Sequence, residues 1–216
     1  MREVVVDYWP LAAIQKGKPI DFYIPYSNPL YFDLSKSLIF LKVKIVTDDG
    51  VKVKPADNVA FVNNILHTLF NKVDVLISGK LVSPDVSVHF AYQQILQILA
   101  YHPVDFLHCT GMCQGYFKDS PGYISTASIT AAGENKGHYK RYQWTKDGNE
   151  VSLIGGLGHE ISYMNCYLPS NLPINFRFWP QNDDFCLLSP NTSTDNFRYE
   201  ITEMSLKMAG VQVTQE

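Results

Sequence analysis

The residues with the greatest potential for chemistry are four cysteines and the histidine next to one of them. Cys109 follows His108 and precedes Cys113 at a Cys-x3-Cys spacing, while Cys166 and Cys186 stand alone. A structural zinc site uses four tetrahedral Cys or His ligands, usually supplied by two paired knuckles. No second pair here has matching spacing. The pattern favours a turn with small buried thiols, and we predict no metal site.

Two further segments are candidates for catalysis or phosphate binding. His159 and Glu160 lie close to Cys166 in sequence, and Cys-His catalysis needs a base beside a thiolate, but no protease-like sequence surrounds them. Residues 155–158 read GGLG, yet a phosphate loop requires a strand before it and a helix after it. The segment after residue 158 is a predicted strand, so a β-turn or bulge is favoured. We predict no catalytic and no cofactor-binding residues.

One basic and aromatic cluster lies between residues 136 and 146. Basic grooves with stacking aromatic rings can hold single-stranded nucleic acid. The formal net charge of the chain is −3, however, and it offers no basic stripe. A solvated loop, or a contact to an acidic patch on a neighbouring subunit, is favoured, and no specific nucleic-acid binding is predicted. The residues concerned are Lys136, His138, Tyr139, Lys140, Arg141, Tyr142, Trp144 and Lys146.

Composition indicates one β-rich domain. The chain has 216 residues, 46% of them hydrophobic, with 13 Tyr and 12 Phe. Aromatic and β-branched residues favour strands, and an all-β sandwich of about 200–250 residues forms one unit. No apolar run approaches the ~20 residues that cross a bilayer. The four scattered cysteines indicate a reducing place of synthesis and buried free thiols.

Alternating apolar residues predict the strands of this domain. The clearest are 20–24, 38–46 and 73–77, and the last is followed by a Ser78-Gly79-Lys80 turn typical of a hairpin. Segments 161–168 and 174–178 are also predicted strands. The closing strand changes its apolar face between Ile201 and Met204, which predicts a bulge or bend there, and the face changes again at Ala209-Gly210.

Three other segments complete the predicted organisation. Helical spacing over residues 85–102, with Asp85 as N-cap, predicts the only substantial helix. Residues 1–18 form an N-terminal arm with a short β-like run, which docks on the body or on a neighbour or is loosely ordered. Residues 111–158 are rich in Gly, Ser, Thr and Tyr and have weak periodicity, which predicts a long loop insertion.

Seven blocks of sequence follow one another in a characteristic order. They are VNNILHTLF (62–70), VDV (73–75), GKLVS (79–83), YFKD (116–119), LPSNL (168–172), INFRF (174–178) and DFCLLS (184–189). In this order they resemble the N-terminal jelly-roll domain of the double jelly-roll major capsid proteins of the Polinton/Maverick (adintovirus-like) type. No single block is diagnostic, and the order and spacing carry the resemblance over roughly residues 21–213. The family's full-length proteins carry two jelly rolls, whereas this chain holds one.

The resemblance implies an antiparallel β-sandwich of jelly-roll type over residues 1–216, with one short helix and a long inserted loop. It implies a structural, non-enzymatic capsid protein that assembles with itself as a trimer or pseudo-hexameric capsomer, and with other capsid proteins. The location would be the virion, after synthesis in the host cytoplasm or nucleus. The inserted loop would make subunit contacts through Tyr116, Tyr123, Tyr139, Arg141, Tyr142 and Trp144.

Alternative functions stay open at this point. A β-sandwich module that binds carbohydrate or peptide would need a concave aromatic face and would remain monomeric. A single jelly-roll, penton-like minor capsid protein would form pentamers. An enzyme of the cupin type would need a clustered His/Glu metal set, and the histidines here lie in dissimilar segments.

Overall fold

Two four-stranded antiparallel sheets form the body of the protein. The computed structural model describes residues 2–25, 30–54, 57–82, 90–101, 109–121, 135–169, 171–189 and 196–212. The strands in these ranges are β1 (Arg2–Tyr8), β2 (Ile20–Ile24), β3 (Leu30–Thr47), β4 (Ala60–Phe61), β5 (Phe70–Ile77), β6 (Lys80–Leu81), β7 (Val151–Gly156), β8 (Ile174–Pro180), β9 (Leu187–Leu188) and β10 (Phe197–Gln212).

The order of the strands is that of a jelly roll. One sheet has the order β1-β10-β3-β7, the other has the order β2-β8-β5-β6, and β4 pairs with β9 in a small ribbon. Every pairing is antiparallel. The chain crosses repeatedly between the two large sheets, as the eight strands of a jelly roll do. The predicted fold class is confirmed.

The core lies between the two sheets and follows from alternation along the strands. On β3, alternate residues Ile39 to Ile45 are fully buried, and on β8 Phe176 and Phe178 face them from the other sheet. The ring of Phe178 lies 5.0 Å from that of Phe70. Outward residues of β3 carry charge, and Lys42 pairs with a glutamate on β10. Alternation of this kind fixes which face of each strand is buried.

Strand β10 contains the bulge that the sequence predicts between Ile201 and Met204, and a second irregularity further along. Its register against β3 shifts between Ile201 and Glu203, and again between Lys207 and Ala209. The first shift lies where the apolar face was predicted to change, and the second lies just before the predicted Ala209-Gly210 position. A bulge adds one residue to one strand and so restores the inward direction of the side chains beyond it. The prediction of a bent closing strand is confirmed.

The α-helices in the described ranges have between 4 and 12 residues. They are α1 (Ile65–Thr68), α2 (Phe90–Tyr101), α3 (Thr110–Cys113), α4 (Lys136–Thr145) and α5 (Asp183–Cys186), with 3-10 turns at Lys146–Gly148 and Glu160–Tyr163. Helix α2 lies in the predicted helical segment, although Asp85 falls outside the described residues. The ten-residue α4 is a second substantial helix that the sequence did not predict. Its N-cap, Asn135, accepts a hydrogen bond from the backbone of His138, which satisfies one helix-end donor.

Two more predictions differ from the structure. Residues 161–168 do not form a strand, because a 3-10 turn occupies 160–163 and only Leu168 makes a β-bridge, to Phe32. The His159 side chain accepts from the Ile161 backbone, and the Ser162 hydroxyl donates to the His159 carbonyl. Such local bonds compete with strand pairing. The predicted insertion 111–158 contains α3, α4 and β7 in its described part.

The N-terminal strand docks on the body of the same chain. Strand β1 pairs with β10 over its whole length, from Arg2 opposite Gln212 to Tyr8 opposite Leu206. The ammonium group of Lys207 lies 3.0 Å from the carboxylate of Asp7. Of the possibilities open for the predicted arm, residues 2–8 therefore form an edge strand of the first sheet.

The turn between β5 and β6 depends on a glycine, and substitution of that glycine tests the predicted hairpin. Ile77 pairs with Lys80, so Ser78 and Gly79 alone form the turn, with φ values of 50° and 77°. Two positive φ values are typical of a type I′ turn. Replacing Gly79 with alanine is expected to lower the free energy of unfolding by about 1 kcal/mol, because a Cβ is strained in this region.

Gly156 supplies the matched control for this variant in chemical-denaturation measurements. An added Cβ would meet open space at both glycines, but the backbone at Gly156 is not in the left-handed region. Gly156→Ala is therefore expected to change the stability by less than about 0.5 kcal/mol. Equal losses from the two variants would contradict the turn assignment.

Candidate assembly surface

Helix α2 presents an apolar face to the outside of the molecule. Four of its side chains, spaced as i, i+3, i+4 and i+7, share one side of the helix, where such residues are neighbours. Leu99 is 78% exposed and the other three are about half exposed. This α2 face consists of Tyr92, Ile95, Leu96 and Leu99.

The inward side of α2 is held by both apolar and polar contacts. Phe90 is buried, and its ring lies 5.6 Å from the ring of His67 on α1. Gln94 is also buried, and its side-chain amide donates to the carbonyl oxygen of Gly158. The helix therefore buries a glutamine while it exposes leucine and isoleucine.

The 3-10 turn at Glu160–Tyr163 lies alongside α2. The side chain of Gln93 donates to the Glu160 carboxylate at 3.4 Å, and the Tyr163 hydroxyl donates to Gln97. Tyr163 is half exposed. These contacts fix the position of the helix on the body.

His67 lies beneath α2 in a site that favours its neutral form. Its Nε2 is 3.0 Å from the Gly156 carbonyl oxygen, so Nε2 must carry the proton. Its Nδ1 is buried and has no hydrogen-bond partner among the described residues. Burial lowers the pKa of His67 to about 4. His138 on α4 and His159 are also buried, and burial lowers the pKa of each to about 4.

Most of the residues predicted for subunit contact pack within the chain. Arg141 and Tyr142 are buried, whereas Tyr116, Tyr139 and Trp144 are half-buried. Tyr123 lies outside the described residues. The rings of Tyr139 and Tyr142 are 6.5 Å apart. Contact of this segment with another subunit stays a prediction, and the two buried residues have little surface to offer to it.

Arg141 anchors α4 to the body through three hydrogen bonds. Its Nε donates to the Phe61 carbonyl at 3.0 Å, and its Nη1 donates to the Phe117 carbonyl at 3.1 Å. Its Nη2 donates to the Asp119 carboxylate at 3.0 Å. The Phe117 ring in turn contacts the Trp144 ring edge to face at 4.7 Å. Arg141 and Trp144 therefore serve internal packing, which the sequence alone did not reveal.

The residues considered for metal or thiol chemistry do not come together. Cys109, Cys113 and Cys166 are exposed, so the prediction of buried thiols was wrong for them, because α3 and the 164–167 segment lie at the surface. Cys186 is buried, and burial raises the pKa of its thiol. Within the described ranges, no group of three or more His, Cys, Asp or Glu is placed to hold a metal ion. His108 lies outside those ranges.

A groove of 1060 Å³ lies between the 14–17 loop, the 181–189 segment and the start of β10. Charged and polar side chains dominate its wall, and Lys16 pairs with Asp183 across it at 2.9 Å. Phe197 and Tyr199 are its aromatic members. The part of the chain that the structure describes contains no helix long and apolar enough to cross a membrane.

Comparison with protein-family models and with curated protein sequences gives no match. Solved structures do match. A chain of the Sputnik virophage, from its 3.5 Å cryo-EM structure, aligns over 100% of this chain with a TM-score of 0.61 and 13% identity. VP54 of PBCV-1, fitted into a reconstruction of Sputnik, aligns over 96% with a TM-score of 0.50 and 10% identity. The mavirus major capsid protein aligns over 98% with a TM-score of 0.49 and 9% identity.

This chain spans about half the length of the chains that it matches. The aligned part is 48% of the Sputnik chain, 42% of the VP54 chain and 47% of the mavirus chain. The first two alignments, together with the strand order, show the fold. The chain has the jelly-roll fold of viral capsid proteins.

Proposed function

We propose that this chain is a structural capsid protein, a building block that assembles with copies of itself into the shell of a virus or virus-like element. The observation that carries the proposal is the jelly roll itself, which aligns over its whole length with a chain of the Sputnik virophage. The exposed α2 face adds an apolar surface of the kind that marks a protein–protein contact. The role is non-enzymatic, and its location is the virion.

The finer assignment rests on the sequence resemblance. It places the chain as the N-terminal roll of a double jelly-roll major capsid protein of the Polinton/Maverick type. Such proteins form trimers in which six rolls produce a pseudo-hexamer. A lone roll would reach the same pattern as a hexamer, or together with a partner domain. Other capsid proteins would be its neighbours in the shell.

A binding module is less well supported than a capsid role. A carbohydrate-binding sandwich needs a concave face with aromatic rings for stacking. The described groove is lined chiefly by charged and polar side chains such as Asp48, Asp184 and Glu200, and its Tyr199 is buried. Surface rings elsewhere, such as Trp9 and Tyr23, lie on different elements.

Solution mass tests the proposal. We expect light scattering on the purified chain to give a mass that rises with concentration toward a fixed multiple of 24.5 kDa. A threefold or sixfold multiple supports a major capsid protein, and a fivefold multiple supports a penton-like minor one. Negative-stain electron microscopy of the concentrated sample would show rings or shells. A monomer at every concentration would contradict self-assembly.

A further inference from the structure

We propose that the α2 face is the surface through which this chain contacts a second copy of itself. The inference rests on the proposed function, because it names the contact that self-assembly would use. The partner that would bind this face is another jelly roll of the same sequence, and it would contact Tyr92, Ile95, Leu96 and Leu99.

The polarity of α2 is the first observation behind this proposal. A surface helix normally turns its apolar stripe toward the core and its polar residues toward water. Here the buried Gln94 faces the body, while Ile95 and Leu99 are 51% and 78% exposed. The amide of Gln94 is satisfied by Gly158, so the inward side is a completed contact. The outward side is the one that still exposes apolar surface to water.

The lack of charged residues in α2 indicates what kind of partner would bind the α2 face. The sequence of Phe90–Tyr101, FAYQQILQILAY, contains no Asp, Glu, Lys or Arg. Its outward surface therefore gives no electrostatic attraction to a strongly charged partner. Two copies of the same uncharged stripe complement each other, as an isologous contact requires. Because the centre of the contact is uncharged, salt should weaken it little.

The length of the matched chain supports a second roll as the occupant. This chain covers 48% of the Sputnik chain, so the matched roll has about as much polypeptide again joined to it. In the double jelly-roll arrangement that the matched proteins have, the further polypeptide is another roll.

The size of the α2 face sets the strength of the contact. Four side chains at about half exposure or more present on the order of 400 Å², in the range of the largest functional patches of monomers. A stable interface needs about 800 Å² from each partner. The α2 face would thus be the centre of a contact that is weak between two isolated copies. Assembly should consequently depend strongly on concentration.

Contacts with the body of the protein fix the position of the α2 face before a partner binds. Phe90 packs on His67, Gln94 binds Gly158, and Gln97 accepts a hydrogen bond from Tyr163. A helix fixed by three such contacts loses little further freedom when a partner binds it. Preorganisation of this kind lowers the free-energy cost of association.

Leu99→Glu tests the proposal, with Leu11→Glu as its matched control. Both leucines are highly exposed, at 78% and 67%, but Leu11 lies in the loop after β1. Light scattering would follow the wild type and both variants over a concentration series at 0.05 M and 0.5 M NaCl. Thermal unfolding would verify that each variant is folded. We expect Leu99→Glu to weaken self-association at least tenfold, Leu11→Glu to leave it unchanged, and the wild type to associate nearly equally at both salt concentrations.

Each of the other outcomes would contradict either the α2 contact or self-assembly itself. If the wild type associates and Leu99→Glu associates equally well, the α2 face is not the contact, while the proposed capsid role stands. If the wild type stays monomeric throughout, self-assembly itself fails. If Leu11→Glu is as damaging as Leu99→Glu, the effect is not specific to α2. If the wild type binds phosphatidylcholine vesicles and Leu99→Glu does not, the occupant is a lipid surface rather than a second copy.

Discussion

Replacing Arg141 with methionine is expected to lower the free energy of unfolding by about 3 kcal/mol, because a buried charged donor that serves three acceptors is removed. The guanidinium group is buried and serves three acceptors at once, the Phe61 and Phe117 carbonyls and the Asp119 carboxylate. Methionine retains the aliphatic length of the side chain but donates no hydrogen bond. The Phe61 carbonyl and the Asp119 carboxylate would lose the donor that Arg141 supplies, whereas the Phe117 carbonyl would keep its hydrogen bond from the Asn63 side chain at 2.8 Å. Helix α4 would lose its anchor.

Arg177→Met is the matched control for this variant. Arg177 also binds a carboxylate through two nitrogens, with its Nε 2.6 Å from Asp21, but this pair is exposed at the surface of the second sheet. Exposed ion pairs contribute about 0–1 kcal/mol. Urea unfolding of both variants, followed by tyrosine and tryptophan fluorescence, gives the comparison. Similar losses at the two sites would contradict the anchoring role of Arg141.

Acidification from pH 7 to pH 5 is expected to cost about 5–6 kcal/mol of stability through three buried histidines. His67, His138 and His159 are 2%, 2% and 6% exposed, and burial lowers the pKa of each to about 4. In the unfolded chain a histidine titrates near pH 6.5. Between these two pKa values the unfolded state binds more protons than the folded state, so stability is full above about pH 6.5 and is lost as the pH falls toward 4.

The size of the effect follows from the two pKa values. Each histidine contributes about 2 kcal/mol of the loss between pH 7 and pH 5. Urea unfolding at pH 7, 6 and 5 would measure the sum. His67→Gln keeps an amide donor for the Gly156 carbonyl and removes one titrating group. We expect this variant to reduce the loss of stability by about a third. An equal loss in the variant and the wild type would show that His67 does not contribute to it. A stability independent of pH would show that all three histidines become charged within the fold.

The sandwich could be predicted from the sequence because apolar and polar residues alternate along its strands with a period of two. Alternate residues of β3 and β8 face the core, and the change of apolar face along β10 is enough to indicate its bulge. The Ser78-Gly79 turn followed from residue type, since glycine adopts a positive φ at low cost. These features depend on neighbours along the chain or on the alternation of a strand.

The helical insertion and the assembly surface could not be predicted in this way. Helix α4 has no clear apolar stripe, and it is fixed by Asn135 at its cap and by Arg141, whose partners lie between 22 and 80 residues away. The α2 segment was predicted as a helix, but its periodicity did not reveal which side would be buried. Only the position of Gln94 against Gly158 shows that the leucines face outward. Contacts between distant segments decide both cases.

Light scattering on the wild type beside Leu99→Glu is the decisive measurement of self-assembly. We expect the wild-type mass to rise with concentration to a fixed multiple of 24.5 kDa, while the folded variant remains near the mass of one chain. A wild type that keeps the mass of a single chain at the highest concentration would show that the chain does not assemble with itself.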